Sequence, residues 1–251
     1  MSLAGVRGAV VLVVVLIAGC SSTTETPRQF APSPASQPPR EVPSGTSAEN
    51  VVPVDGEADG TTLLSPGRHS LRANGAADTV HLAVVDVPEG VRGYGGFALH
   101  RFTIPRTEPY QGLLYWTIAG VHADPCTKSG GLLDAGASVT SLADALARQA
   151  LTTTTSPQPV SVDGHDGVRL DLVAPADIDF ADCAEGYFDV WVSSLGGGRY
   201  LQAPGQRSTL WILDVDDQRV ALEVSTTPGV SPDDVQVLTK MAESVTFVRA
   251  G

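Results

Sequence analysis

The strongest constraint on the fold is an alternation of apolar and polar residues that begins at about Thr62 and recurs along the rest of the chain. Its clearest form is a pair of runs, Leu210 to Val215 and Arg219 to Val224, which flank Asp216-Asp217-Gln218. A period of two is that of a strand with one buried face, so the pair predicts a half-buried antiparallel hairpin. Asp217 stands where an Asp-Gly turn would place its glycine, which leaves the turn type open.

Other stretches with this alternation also predict strands. These stretches are Thr79 to Val87, Tyr115 to Val121, Val168 to Val173, Asp189 to Val192 and Val245 to Val248. A second hairpin is predicted from Val160 to Leu170, because Gly164 and Gly167 can both occupy a turn between its two arms.

Two helices interrupt the strands. Ser141, with Asp144 three residues later, is typical of a helix start, and Leu142, Leu146 and Ala150 then share one face. The order of elements predicts an α+β fold, a mostly antiparallel β-sheet with the two main helices packed on one face.

The last helix has the clearer start signal. Ser231 is a capping residue, Pro232 suits the first turn, and Asp233 and Asp234 favour the positive end of the helix dipole. The predicted apolar stripe of this helix comprises Val235, Leu238, Met241, Ala242 and Val245.

The N-terminus has the features of an export signal. One arginine, Arg7, precedes a dozen apolar or small residues from Gly8 to Gly19, a run shorter than the roughly 20 residues that span a membrane. The run ends in Leu16-Ile17-Ala18-Gly19-Cys20, which resembles the lipobox of bacterial lipoprotein precursors. The resemblance implies a signal peptide over 1–19, removed when the Cys20 thiol receives diacylglycerol. The alternative is an ordinary secretory signal with a chance cysteine.

A polar segment separates this signal from the predicted domain. Residues 21–60 contain seven prolines and ten Ser or Thr residues, without apolar periodicity. Such a composition buries too little apolar surface to offset the entropy of ordering. We therefore predict a disordered tether over 20–61, with a reach of roughly 35 Å, and a single α+β domain over 62–251.

Charge and cysteine content limit the partners and the compartment. With 28 acidic and 16 basic residues, the net charge is −12, which disfavours nucleic acid as a partner. Once Cys20 is lipidated, Cys126 and Cys183 remain, and in an exported domain they are expected to form a disulfide. A redox or metal pair is the alternative, but neither the Cys-x-x-Cys spacing nor a set of neighbouring ligands is present in the sequence.

Candidate catalytic groups are few. His165 lies between turn residues, and Asp177, Asp179 and Asp182 form an acidic group that lacks the spacing of a calcium loop. His81, inside an apolar strand, is expected to be a half-buried imidazole with a hydrogen-bond partner. A Gly-x-Ser-x-Gly nucleophile motif is missing from the sequence. We predict no catalytic residues, no metal and no cofactor.

A glycine-rich segment carries two aromatic residues that could contact a partner. Tyr94 and Phe97 flank Gly95-Gly96, and loops that display aromatic side chains often form contact surfaces. The alternative is a wide turn in which Phe97 packs into the core.

Most of the region from Leu113 to Val248 resembles a group of lipoproteins from high-GC Gram-positive bacteria. The segments that carry this resemblance are Trp116 to Cys126, Ser141 to Ala150, Cys183, Trp211 to Val220 and the final capped helix. Some of these lipoproteins are similar to the PsbP-like α/β fold, which serves binding and assembly. The resemblance brings no catalytic residues.

Together these features predict a lipoprotein anchored to the cell membrane through Cys20, with a non-catalytic domain on the extracytoplasmic side. This domain would bind an envelope protein or another ligand. One alternative is a hydrolase of envelope polymers that uses His165, Asp177, Asp179 and Asp182 in one cleft. Another is an extracytoplasmic sensor module.

Overall fold

A computed structural model describes residues 51–54, 61–76, 80–101 and 109–251. The predicted signal peptide, Cys20 and most of the predicted tether lie outside these ranges. The described residues belong to one compact unit and contain seventeen strands and two α-helices. The helices are α1 (Val139–Ala147) and α2 (Pro232–Glu243).

The strands are short at the N-terminus and longest in the middle of the chain. In chain order they are β1 (Val52–Pro53), β2 (Thr62–Leu63), β3 (Gly67–Leu71), β4 (His81–Val87), β5 (Arg92–Tyr94), β6 (Ala98–His100), β7 (Gln111–Trp116), β8 (Ile118–His122), β9 (Leu132–Asp134), β10 (Thr153–Thr154), β11 (Gln158–Val162), β12 (His165–Val173), β13 (Phe188–Ser193), β14 (Gly198–Leu201), β15 (Arg207–Val215), β16 (Gln218–Thr226) and β17 (Thr246–Arg249).

These strands form three sheets. The central sheet has the order β10-β12-β15-β16-β7-β6-β5-β2, and β11 also pairs with β12. A first flanking sheet has the order β1-β3-β4-β17, and a second has the order β14-β13-β8-β9. The pairs among these strands are antiparallel except β1 with β3. The predicted α+β class with mostly antiparallel sheet is confirmed.

The two helices pack on opposite faces of the central sheet, so the prediction that both share one face is wrong. Leu142 and Leu146 of α1 lie in one core with Trp116 of β7, whereas Leu238 of α2 lies in a second core with Tyr115. Successive strand residues point to opposite faces, so Tyr115 and Trp116 mark two apolar faces. A sheet with two apolar faces needs a cover on each. We call them the α1 face and the α2 face.

The predicted hairpin at the centre of the chain is present as β15 and β16. Val215 pairs with Gln218, which leaves a two-residue turn at Asp216 and Asp217 with φ of 48° and 66°. Positive φ at both positions is the type I′ pattern, which aspartate tolerates better than most residues. The hairpin is buried on both faces, not half-buried as predicted, because Glu223 and its neighbours are also covered.

The second predicted hairpin is β11 with β12, and it turns at Asp163-Gly164. Gly167 is not a turn residue, contrary to the prediction. It lies inside β12, where a Cβ atom would come within 2.0 Å of the backbone oxygen of Ile212 in β15. The glycine at this position is required by the close approach of two backbones.

Three predicted boundaries also differ from the structure. The predicted strand from Tyr115 to Val121 breaks at Thr117, where the chain leaves the central sheet for the second flanking sheet. Ser138 caps α1, and Ser141 is the third helical residue of its capping box. Val54, inside the predicted tether, is buried next to β1, because β1 pairs with β3.

The start of α2 and the final strand agree with the sequence pattern. The Ser231 side chain accepts a hydrogen bond from the Asp234 backbone N–H, and Pro232 begins the helix. After α2, β17 pairs with β4. Within the described ranges, neither helix has the length and apolar content needed to cross a membrane.

The predicted disulfide is present between Cys126 and Cys183, with Cα atoms 4.5 Å apart. Cys126 lies in the loop between β8 and β9, and Cys183 separates two short 3-10 turns. The bond is reinforced by a backbone hydrogen bond of 2.7 Å from Ala184 N to Cys126 O. It therefore ties the segment after β12 to the second flanking sheet.

Candidate functional site

A cleft of about 380 Å³ opens on the α1 face of the central sheet. Its aromatic lining comprises Tyr94, Phe97, His100, Tyr110, Trp116 and Tyr200. Its polar lining comprises Thr61, Asn74, Arg199 and Gln202. This volume lies within the usual range of small-molecule sites, and a mostly aromatic wall with a few polar groups is their usual composition.

The position of the cleft follows from incomplete coverage of the sheet. Helix α1 packs on β12 and β15, at one side of the α1 face. The second flanking sheet ends at its edge strand β14, which carries Arg199 and Tyr200. Strands β5 and β6 extend the central sheet beyond β7, and their residues Tyr94, Ala98 and His100 form the opposite wall.

Tyr94 and Phe97, the residues predicted to form a contact loop, both line this cleft. Tyr94 ends β5, Phe97 precedes β6, and both are half-buried. Their rings meet edge to face at 5.8 Å. The Phe97 ring also lies 5.4 Å from that of Trp116. Phe97 therefore packs against the core, which was the alternative reading, and contributes to the cleft wall as well.

At the floor of the cleft, Arg199 of β14 forms a buried ion pair with Glu223 of β16, which lies beneath it and does not line the cleft. Arg199 is 5% exposed and Glu223 is 0% exposed. The Arg199 Nη2 and Nε atoms donate to Glu223 Oε1 at 3.0 and 3.1 Å, and Nε also lies 3.0 Å from Oε2. Such a charge-assisted, forked contact fixes the plane of the guanidinium group.

Neighbouring polar groups complete the hydrogen bonding of this pair. Trp116 Nε1 donates to Glu223 Oε2 at 2.9 Å, and Ser208 Oγ donates to Oε1 at 2.7 Å. Arg199 Nη2 also donates to Ser225 Oγ at 2.8 Å. Ser208, Ser225 and Glu223 share one face of β15 and β16, because their strand positions differ by even numbers and Ser208 pairs with Ser225. The pair is thus buried and well partnered.

The pKa of the Arg199 guanidinium reflects two opposing effects. Burial lowers it, but the neighbouring Glu223 carboxylate outweighs burial, so the pKa lies above its usual value. Arg199 is therefore always charged, and its charge is balanced by Glu223.

Aromatic rings also surround Arg199. The Tyr110 ring lies 5.7 Å from Arg199 Cζ, and the His100 ring lies 5.3 Å from that of Tyr110.

The groups proposed for a hydrolase do not converge. His165 begins β12, and its ring contacts Phe247 at 5.5 Å. Asp177, Asp179 and Asp182 follow the other end of this nine-residue strand, which is about 30 Å long. The Asp179 side chain caps a 3-10 turn by accepting from Ala181 N. Within the described ranges, no three His, Cys, Asp or Glu side chains lie close enough to share a metal ion.

His81 has hydrogen-bond partners, as predicted, but it is buried and not half-buried. Its Nε2 atom lies 3.1 Å from Asp216 Oδ2, and its Nδ1 atom lies 3.3 Å from Gln218 Oε1. The two partners belong to the turn between β15 and β16 and to the first residue of β16. The imidazole thus joins the first flanking sheet to the central hairpin.

Sequence reasoning missed Arg199 and Glu223. One signal was available for Glu223, because the predicted hairpin places it opposite Leu210 of β15, a strand with apolar residues on both faces. An acid at such a position needs a buried partner. Nothing in the local sequence identifies Arg199 as that partner, since it follows a glycine-rich turn 24 positions away.

Comparisons with known proteins give no match for this chain: no family model, no curated protein and no solved structure is similar to it.

Proposed function

We propose that this protein is a lipoprotein whose domain binds a small ligand in the cleft between β14 and β5–β6. The observation that carries the proposal is a cleft with an aromatic wall above a buried ion pair that is held by several hydrogen bonds. Tyr94 and Phe97, predicted as a contact loop, belong to that wall. We take binding without catalysis as its role.

The ion pair supports a binding role because stability alone does not require two charged residues at these positions. Replacing a buried ion pair by well-packed apolar residues is often neutral or stabilising. In this protein the pair keeps the guanidinium of Arg199 in a fixed plane at the cleft floor. Fixed polar groups lower the entropy lost when a ligand binds.

The proposed location is the extracytoplasmic face of the cell membrane, with attachment through acyl chains on Cys20. One acyl chain gives only marginal, reversible attachment, and a second makes it stable. The disulfide between Cys126 and Cys183 supports an exported domain, because disulfides persist in oxidising compartments. The resemblance to PsbP-like lipoproteins remains a prediction.

The location is tested by the mass of the N-terminal peptide of protein extracted from membranes. We expect a peptide that begins at Cys20 and carries a diacylglyceryl group, and a Cys20→Ser variant that is not lipidated. An unprocessed chain that keeps residues 1–19 and stays in the cytosol would contradict the proposal.

The binding role is tested by soaking crystals of the protein with a mixed set of small organic fragments. We expect bound fragments to cluster against Phe97, Trp116 and Arg199. A Phe97→Ala variant should lose fragments from the cleft and keep any bound elsewhere. Fragments that avoid the cleft in the unsubstituted protein would refute this role.

A further inference from the structure

We infer that the ligand of the cleft is a neutral, polyhydroxylated ring, namely a sugar residue of a glycan. This inference rests on the proposed binding role and adds the chemical class of the ligand. Three features of the site support it: the angles between the aromatic rings, the balance of charge at the floor, and an exposed tyrosine pair at the rim.

The aromatic rings that line the cleft are inclined to one another and are not parallel. The Tyr94 and Phe97 rings are inclined to each other at 73°, and the Phe97 and Trp116 rings at 56°. Neither pair offers two parallel faces between which a flat heterocycle could lie. Rings inclined at such angles can contact a puckered ligand ring from different sides, one aromatic ring through its face and another through its edge. A saturated sugar ring has apolar C–H groups on its faces and suits this wall.

The charge balance disfavours a charged ligand. Arg199 is the one formally charged side chain among the described lining residues, and Glu223 already neutralises it. An anion would bring a second negative charge close to the Glu223 carboxylate. A cation would approach the Arg199 guanidinium without a carboxylate in the described lining to balance it. Uncompensated charge in a partly desolvated site is costly, so a neutral ligand is favoured.

The polar lining matches hydroxyl groups. The carboxamides of Asn74 and Gln202 and the hydroxyl of Thr61 can each both donate and accept hydrogen bonds, as sugar hydroxyls do. The backbone of Asn74 is held in place, since its N–H donates to Tyr115 O at 2.8 Å and its carbonyl accepts from Thr117 N at 3.0 Å. The cleft therefore presents both apolar and polar groups, as a sugar does.

An exposed tyrosine pair lies beside the rim of the cleft, with Tyr200 on the outer face of β14. Tyr200 lines the cleft and is 45% exposed, and Tyr187 beside it is 48% exposed. Their ring centroids are 5.0 Å apart. Two adjacent tyrosines that leave so much surface in water add little to the core. They offer a second stacking surface for the next sugar of a chain, so we expect an oligosaccharide to bind more tightly than a disaccharide.

The test is calorimetric titration of the purified protein with a panel of defined probes. Neutral probes are maltose, cellobiose, N,N′-diacetylchitobiose and the tetrasaccharide of each series. Charged probes are glucuronic acid and glucosamine, and the apolar probe is lauric acid. We expect one neutral series to bind, with the tetrasaccharide about ten-fold tighter than the disaccharide.

Variants distinguish the contribution of the aromatic wall to binding from that of the tyrosine pair at the rim. Phe97→Ala should weaken binding of both lengths by about ten-fold or more, whereas Tyr200→Ala should remove the advantage of the tetrasaccharide. Leu132→Ala, which truncates an exposed apolar side chain outside the cleft lining, is the control and should bind as the unsubstituted protein does. Circular dichroism melting curves establish that each variant is folded.

The outcomes distinguish the ligand class from the binding role. Binding of lauric acid or of the charged sugars alone would overturn the sugar assignment and leave the binding role intact. If fragments bind in the cleft but no neutral saccharide binds at millimolar concentration, the sugar assignment is likewise overturned and the binding role is kept. Failure of the probes and of the fragment soaks together would overturn both.

Discussion

Replacing Glu223 by glutamine should expose the energetic role of the buried ion pair. The carboxylate accepts hydrogen bonds from Trp116 Nε1, Ser208 Oγ and two nitrogens of Arg199. Glu223→Gln preserves the shape of the side chain but removes its charge. It also places an amide N–H₂ donor among donors, and the Arg199 guanidinium stays buried without a counter-charge.

The magnitude follows from the burial of both partners. Arg199 is 5% exposed and Glu223 is 0% exposed, so neither charge is screened by water. Removing one partner of a buried, hydrogen-bonded pair costs about 3–5 kcal/mol, because the remaining charge is uncompensated. In a domain of this size, such a loss lowers the melting temperature by about 6–20 °C.

The assay is urea unfolding monitored by tryptophan fluorescence, with the disulfide kept oxidised. The matched control is Arg207→Ala, which breaks the half-exposed pair with Asp171 at 2.8 Å. That loss should stay below about 1 kcal/mol, as is usual for surface pairs. A double variant, Arg199→Met with Glu223→Gln, should lose less than the sum of the two single variants. A Glu223→Gln cost as small as that of the control, or strict additivity, would refute the reasoning.

Three further changes test other parts of the fold. Cys183→Ser should lower the free energy of unfolding by about 4 kcal/mol, measured by urea unfolding, because it removes a bond that closes a separation of 57 positions. Gly167→Ala should cost about 3 kcal/mol or prevent folding, since its Cβ would meet the backbone oxygen of Ile212; a cost near zero would contradict the packing of β12 on β15. Burial lowers the pKa of His122, so the folded state binds a proton less readily than the unfolded chain, and stability is lost as the pH falls below about 6.5. His122→Gln should reduce this loss, and NMR titration of the His122 ring should give a midpoint below that of an unfolded peptide.

Local chemistry made several elements predictable. Helix α2 has its capping serine, its first-turn proline and its acidic first turn in consecutive positions. The β15–β16 hairpin has two long alternating runs separated by a short polar turn. Cys126 and Cys183 are the two cysteines left once Cys20 is assigned to the anchor, and they form the predicted disulfide.

Features that depend on distant partners were not predictable. The sequence does not indicate which face of the sheet each helix covers, because β15 has apolar residues on both faces. The start of α1 was misplaced because Ser138 and Ser141 are both good capping residues, and the choice depends on the capping box that they form together. The sequence did not predict the cleft; it indicated two of its residues, Tyr94 and Phe97, as a possible contact loop. Arg199 and Glu223 could not be paired from the sequence, since they meet only when β14 covers β16.

The binding role of the cleft is tested most directly by the three indole N–H signals of the ¹⁵N-labelled protein during titration with a fragment or saccharide that binds. Trp116 lines the cleft and donates its indole N–H to Glu223, whereas Trp211 lies in the core on the opposite face of the sheet. We predict a shift of the Trp116 signal that saturates with added ligand, with the Trp211 signal nearly unchanged; Trp191, whose ring is 5.9 Å from that of Trp116, is not used as the reference. Saturable binding that leaves the Trp116 signal in place would contradict the assignment of this cleft as the binding site.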